Sequence, residues 1–195
     1  MRPHPNRYKE QEFMKTYLVL LLLPLFAACA AKPTHILVDP AVNAVSRNIG
    51  NNVAVNVTVS NDPAMSPLQE KQHRFPLQRS VADATREKLM RELQAMGFRI
   101  DPYASRQLEV QIATAEHTIT DKTLKDEITA HVVMQFSATT EFGNLTRKFT
   151  DNRMQEVGID ANLGEASAVL NQSVGHVLSR AINDPELLQF LTRQY

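Results

Sequence analysis

The chain has 195 residues, 21 basic and 21 acidic side chains, and so no formal net charge. No basic stripe argues for a nucleic-acid partner and no acidic tail for a cationic one, while a single cysteine excludes an internal disulfide framework. Trp is absent, and neither an internal repeat nor a low-complexity tract is present.

Met1–Phe13 is polar and carries Glu10 and Glu12, unlike the basic start of an export signal, whereas Met14-Lys15-Thr16-Tyr17 suits one. Translation is therefore expected to begin at Met14. Leu18 to Phe26 forms a short apolar core, followed by the small pair Ala27-Ala28 and then Cys29, the only cysteine. A run this short falls well below the roughly 20 apolar residues of a membrane-spanning helix. It suits a secretory signal, whose apolar core is about 7–15 residues long. Ending at a cysteine, it resembles a bacterial lipobox, with Phe26 where such boxes usually carry Leu. In a lipobox the thiol receives a diacylglyceryl group and becomes the new N-terminus. The expected organisation is thus a lipoprotein signal over 1–28, a lipidated N-terminus and short tether over 29–34, and a single domain over 35–195. The alternative is a buried thiol on an ordinary core segment, since cysteine is often buried. Several acyl chains would hold the protein at a membrane where one would not. Ala30, rather than Asp, follows the cysteine, which points to the periplasmic side of the outer membrane in a Gram-negative bacterium.

Past the first 28 residues, 167 remain, enough for one domain with a sizeable core. Ile36-Leu37-Val38 reads as a brief strand. Val53, Val55, Val57 and Val59 alternate with polar or small residues, the period-two pattern of a half-buried strand. Ala64–Arg74 is polar and reads as a loop. Ser80 caps a helix whose stripe is Val81, Thr85, Leu89, Leu93 and Met96, with Asp83 as a short-armed capping-box partner and Gly97 as its stop. Leu108, Val110 and Ile112 mark the next strand. A long strand follows, with Ile128, Ala130, Val132, Met134, Phe136, Ala138 and Phe142 on one face and Thr129, His131, Gln135, Ser137, Thr139 and Glu141 on the other. Gly143-Asn144 is expected to turn it into a hairpin arm running to Val157. Asn162 or Asp160 caps the last long helix, striped by Ala166, Val169, Leu170, Val174, Val177, Leu178, Ala181 and Ile182. Pro185 opens a short terminal one. The fold class is α+β: a single domain with an antiparallel sheet and helices packed on one face, in the order β-β-α-β-β-β-α-α.

These elements resemble the YajG family of lipoproteins from the Gram-negative envelope. The likeness rests on Cys29, on Ile36-Leu37-Val38-Asp39-Pro40, on the Val53–Val59 strand and on the helix ending Glu92-Leu93-Gln94-Ala95-Met96-Gly97-Phe98. It extends to Leu108-Glu109-Val110-Gln111-Ile112 and to the C-terminal helix pair. The resemblance implies a small envelope lipoprotein and brings no established activity and no catalytic residues.

Nothing in the residues argues for catalysis. There is no H-x-x-x-H helix pair, no G-x-S-x-G elbow and no phosphate-cradling glycine loop. His117 and His131 lie on expected strands, where they would meet across the sheet or simply face solvent. Glu116, Asp121, Asp126 and Glu127 cluster at an expected turn, either as paired carboxylates or, with Lys122 and Lys125, as a solvated hairpin end. No cofactor, metal or enzyme activity is expected. The polar strand face Thr129, His131, Gln135, Ser137 and Thr139 is the candidate binding surface, with plain solvent exposure as its alternative. The expected role is a lipid-anchored, non-catalytic adaptor or accessory subunit. It would contact the membrane through Cys29 and an envelope protein through its fold. The alternative is a module binding a small molecule, lipid or glycan such as a muropeptide, in a pocket between sheet and helices.

Overall fold

The computed structural model describes residues 35–44, 48–61, 77–158 and 161–193. The expected signal, Cys29 with its tether, and the polar 64–74 stretch lie outside them. The described elements are β1 (Ala54–Asn61), α1 (Val81–Ala95), β2 (Arg99–Ile100), β3 (Gln107–Asp121), β4 (Asp126–Thr140), β5 (Gly143–Val157), α2 (Leu163–Ile182) and α3 (Pro185–Thr192). They build one five-stranded sheet in the order β2-β1-β3-β4-β5. Helices cover one side of it, so the expected α+β class holds.

Strand direction departs from expectation at one edge. β3, β4 and β5 are antiparallel neighbours, but β1 runs parallel to both β2 and β3. The sheet is therefore mixed. A parallel partner needs a long crossover, and the stretch from β1 through α1 to β3 supplies it. The tight β4–β5 turn expected at Gly143-Asn144 falls two residues earlier. Thr140 pairs with Gly143, so the turn is Glu141-Phe142, and Gly143 opens β5 at φ 125°, a conformation that favours glycine.

Alternation along β4 decides the layering. Ile128, Ala130, Val132, Met134, Phe136 and Ala138 are all buried toward the helices. Phe136 meets Phe149 of β5 edge-to-face at 5.5 Å between ring centres. From the other layer, Leu170, Val174, Val177 and Leu178 of α2, Leu89 and Leu93 of α1, and Leu188 and Leu191 of α3 complete the core. The caps follow the residues expected. Ser80 accepts from the Asp83 amide at 3.0 Å, and the short Asp83 side chain accepts from the Ser80 hydroxyl at 2.7 Å and from Arg86 at 3.1 Å. Asn162 and Glu165 form a full reciprocal box on α2, and Asp184 with Pro185 starts α3.

The expected first strand, Ile36–Val38, does not join the sheet. Ile36 makes one isolated parallel bridge to Leu77. The segment otherwise runs extended along α2 as a strap. The Leu37 amide donates to Ser167 Oγ at 3.1 Å, the Asp39 amide to Asn171 Oδ1 at 2.9 Å and the Asn43 amide to Ser179 Oγ at 3.0 Å. Asn171 returns a bond to the Leu37 carbonyl at 2.7 Å, and Asn183 bonds the Asn43 carbonyl at 2.8 Å. Every second strap residue thus meets every fourth helix residue. Two extended residues rise about 6.6 Å and four helical ones about 6.0 Å, so the two periods stay in step. At the middle of this ladder stands Gly175, where an added Cβ would lie 2.1 Å from the Ala41 carbonyl oxygen. The buried side chains of Ile36 and Val38 pin the strap beneath.

Two substitutions test the strap. Gly175→Ala gains up to about 1 kcal/mol of helix propensity, but the backbone clash outweighs it, giving a net loss of about 1–3 kcal/mol in denaturant unfolding. Asn171→Ala removes two backbone contacts; the expected loss is about 1–2 kcal/mol, with faster amide exchange at Asp39. Unchanged exchange there would show that the clamp does not hold the strap.

Candidate functional site

The candidate binding residues do share one surface. Thr129, His131, Gln135, Ser137 and Thr139 all point away from the helices on the central strand β4, half-buried except for the exposed Thr139. Register extends this surface across the sheet. Ser137 lies between Glu109 and Thr146, Gln135 between Gln111 and Lys148, and Thr139 between Gln107 and Asn144. Parallel pairing adds Asn56, Thr58 and Ser60 of β1 beside Gln107, Glu109 and Gln111. Ser137 and Thr146 hydroxyls meet at 3.3 Å, and His131 Nδ1 contacts Asn152 Oδ1. The result is a broad sheet face mainly of hydroxyl and amide groups with few charges, interrupted by the buried Val133 and, beside Thr129, the exposed Met154. Such a face can offer many weak hydrogen bonds to a polar partner.

His117 and His131 do not meet. A register shift between Ile112 and Thr114 reverses the facing of β3 beyond it. His117 consequently pairs with Ala130 and is buried toward the helices, while Glu116 lies opposite His131 on the open face. Among the described residues no group of three or more His, Cys, Asp or Glu side chains could hold a metal ion. The acids at the β3–β4 turn do not pair as carboxylates either. Asp126 is buried and accepts from the Ala161 amide at 2.7 Å, fastening the start of α2. Glu127 pairs with Lys122, and Lys125 with Glu156 at 2.6 Å.

A second polar cluster, absent from the sequence reading, lies where β5 meets the helices. Its inward positions carry Arg147, Asp151 and Arg153. Arg147 bridges Asp184 and Glu186 of α3 at 3.0 Å each. Asp151 meets His176 Nδ1 at 2.6 Å, Arg153 reaches Gln172 at 3.2 Å, and Arg180 lies over the Phe149 ring at 5.7 Å. Charges at inward positions of a strand are the signal that would have revealed it, because only an edge strand can place them at the rim of the core. Burial pushes the Asp151 carboxyl up, the largest single effect. The His176 hydrogen bond, the nearby Ser173 hydroxyl (off the alignment of a full hydrogen bond) and the Arg153 charge together outweigh it and hold the group below its usual range.

The space between sheet and helices, where a ligand pocket was the alternative expectation, is lined among the described residues by the buried side chains named above. Two open clefts lie elsewhere. One of about 510 Å³ is lined by Leu145, Glu186, Phe190 and Arg193. The other, of about 520 Å³, follows the charged outer face of α1 around Arg79, Glu87 and Met90.

A family model described as "Uncharacterized lipoprotein" matches residues 40–192. No curated protein sequence matches the chain. Among solved structures, the chain is similar to protein XCC0632 from Xanthomonas campestris, of family DUF330. They share 11% identity at a TM-score of 0.55, covering 77% of this chain and 93% of that one. An uncharacterized protein is similar at a TM-score of 0.52 and 12% identity, over 78% of this chain and 99% of that one. At these identities the likeness is one of fold.

Asp151 predicts a pH dependence. With its folded pKa depressed, its contribution is full above the ordinary carboxylate pKa of about 4 and lost as pH falls through the lower folded value. Asp151→Asn should be less stable at neutral pH yet show a flatter decline of stability between about pH 4 and 2. Parallel declines in the two proteins, followed by urea unfolding across that range, would contradict the assignment.

Proposed function

Since the chain belongs to the Lipoprotein_16 family of uncharacterised, YajG-type lipoproteins, we propose that it is a non-catalytic binding domain. Lipid on Cys29 holds it at the periplasmic side of the outer membrane, and it serves as adaptor or accessory subunit of an envelope complex. Family membership makes it a membrane-anchored envelope protein, and among the described residues no helix is long and apolar enough to cross a membrane. The observation that carries the binding role is the open sheet face around Thr129, His131, Gln135, Ser137 and Thr139. The helices close the opposite side, so the described elements leave this wide polar surface uncovered. Its breadth and its spread of hydroxyl and amide groups suit a protein surface of matching polarity.

A second reading takes the same face as a glycan site. Rows such as Thr58, Glu109, Ser137 and Thr146 present donors and acceptors at strand spacing, which fits the hydroxyls of a muropeptide sugar. It sets the contact on the open face rather than in a pocket between sheet and helices.

Two measurements test these readings. Cys29→Ala should accumulate as uncleaved precursor or move to the soluble fraction. If it still fractionates with outer membrane after salt washing, lipid does not hold it. A photocrosslinker at Gln135 in the native lipoprotein should capture one reproducible envelope protein, and Ser137→Arg should abolish capture while changing stability by less than about 0.5 kcal/mol. Glycan capture alone would move the assignment to the second reading, and no capture of either would remove the face from the mechanism.

A further inference from the structure

Among the described residues, four large apolar side chains stand well exposed: Leu37 (52%), Tyr103 (94%), Leu124 (80%) and Met154 (65%). Three of them lie toward one end of the domain, Met154 on the open sheet face and Leu37 on the helical side. Leu124 forms the tip of the β3–β4 turn. Met154 pairs with Thr129, three residues along β4 from that turn. Leu37 donates its amide to Ser167, near the start of α2, and the start of α2 is tied to the same hairpin end through the Ala161 amide and Asp126. Tyr103 alone lies at the far end, just before Gln107, which pairs with Thr139 beside the β4–β5 turn.

The strap begins at this same end. Ile36 precedes Leu37, and the strap then runs away from it toward Asn43 and the last turn of α2. Only seven peptide steps separate Ile36 from Cys29. Fully extended they span at most about 25 Å. A lipid on Cys29 therefore keeps this end within a tether's length of the bilayer, and the extended strap fixes which end it is.

We propose that this end of the domain rests on the bilayer surface, with Leu124 entering the interface and Leu37 and Met154 flanking it. The inference depends on the lipid-anchor reading above. The contact is apolar. Lys122 and Lys125 bracket Leu124, but each is paired with an acid, Glu127 and Glu156, so the tip carries no free positive charge to seek anionic lipid. One exposed leucine would not hold a free protein at a membrane. With the anchor holding the domain nearby, a small apolar gain suffices to orient it. The open sheet face then stands at the side of the domain, and Tyr103 points away from the membrane.

The test uses the full lipidated protein in vesicles of phosphatidylethanolamine and phosphatidylglycerol. Acylated Cys29 leaves no native thiol, so Leu124→Cys or Tyr103→Cys supplies the only site for a fluorescent label. Quenching by nitroxide-bearing lipid should be several-fold stronger at position 124 than at 103, and it should persist when phosphatidylglycerol is omitted. Equal quenching at both positions in vesicle-bound protein overturns the orientation while leaving the anchor intact. Quenching between labels at 124, without quenching by lipid, overturns it in favour of a second copy of the chain. If wild-type protein labels at Cys29 and fails to float with vesicles, the anchor reading itself falls and the orientation with it.

Discussion

Helix α2 is bound on two sides, and the rest of the domain is arranged around that fact. One stripe, Val169, Leu170, Val174, Val177, Leu178 and Ala181, is buried against the sheet and the other helices. Another, Ser167, Asn171, Gly175, Ser179 and Asn183, receives the extended strap through side-chain to backbone hydrogen bonds. The strap's amides are satisfied by a helix surface instead of a neighbouring strand, which is why it needs no place in the sheet. The ladder works because helix and extended chain advance at nearly the same rate per repeat, and because Gly175 lets the Ala41 carbonyl come close. Any pull transmitted from the N-terminus along the strap reaches the core helix directly.

The sheet has one protected edge and one open face. β5 is 15 residues long and lies at the edge, a template for unwanted strand pairing. Its inward Arg147, Asp151 and Arg153 are drawn toward α2 and α3 by Asp184, Glu186, His176 and Gln172. Those contacts bind the edge strand to the helical layer and place charge where a pairing partner would meet it. The same residues explain why the cluster around Asp151 reads as architecture: each charged group is committed to a neighbour across the β5–helix seam.

The open face differs in kind. Its side chains bond mainly to neighbours on adjacent strands, as His131 does to Asn152 and Ser137 to Thr146, and they close over no cavity. A surface of this sort favours recognition by area and many weak polar contacts. With the strap end near the membrane, the face would be turned sideways to the bilayer, accessible to partners held in the same membrane.

Much was legible in the chain itself. Helical stripes, caps at Ser80 and Asn162, Pro185 at the start of the last helix, and the alternation along β4 were readable because each depends on residues close in sequence, and burial selects their period directly. The candidate face on β4 followed from the same alternation. Only the tertiary structure decided the rest. The Ile36–Val38 segment looks like a strand, since extended chain has one pattern whether its amides bond a sheet or a helix. The parallel setting of β1 depends on the path of a long crossover. The facing of His117 turned on a one-residue register shift at Ala113, which no periodicity announces. The placing of Leu37 at the same end as Leu124 and Met154 joins segments far apart in the chain. Such features belong to pairings between distant segments, whose energies no local stretch of sequence contains.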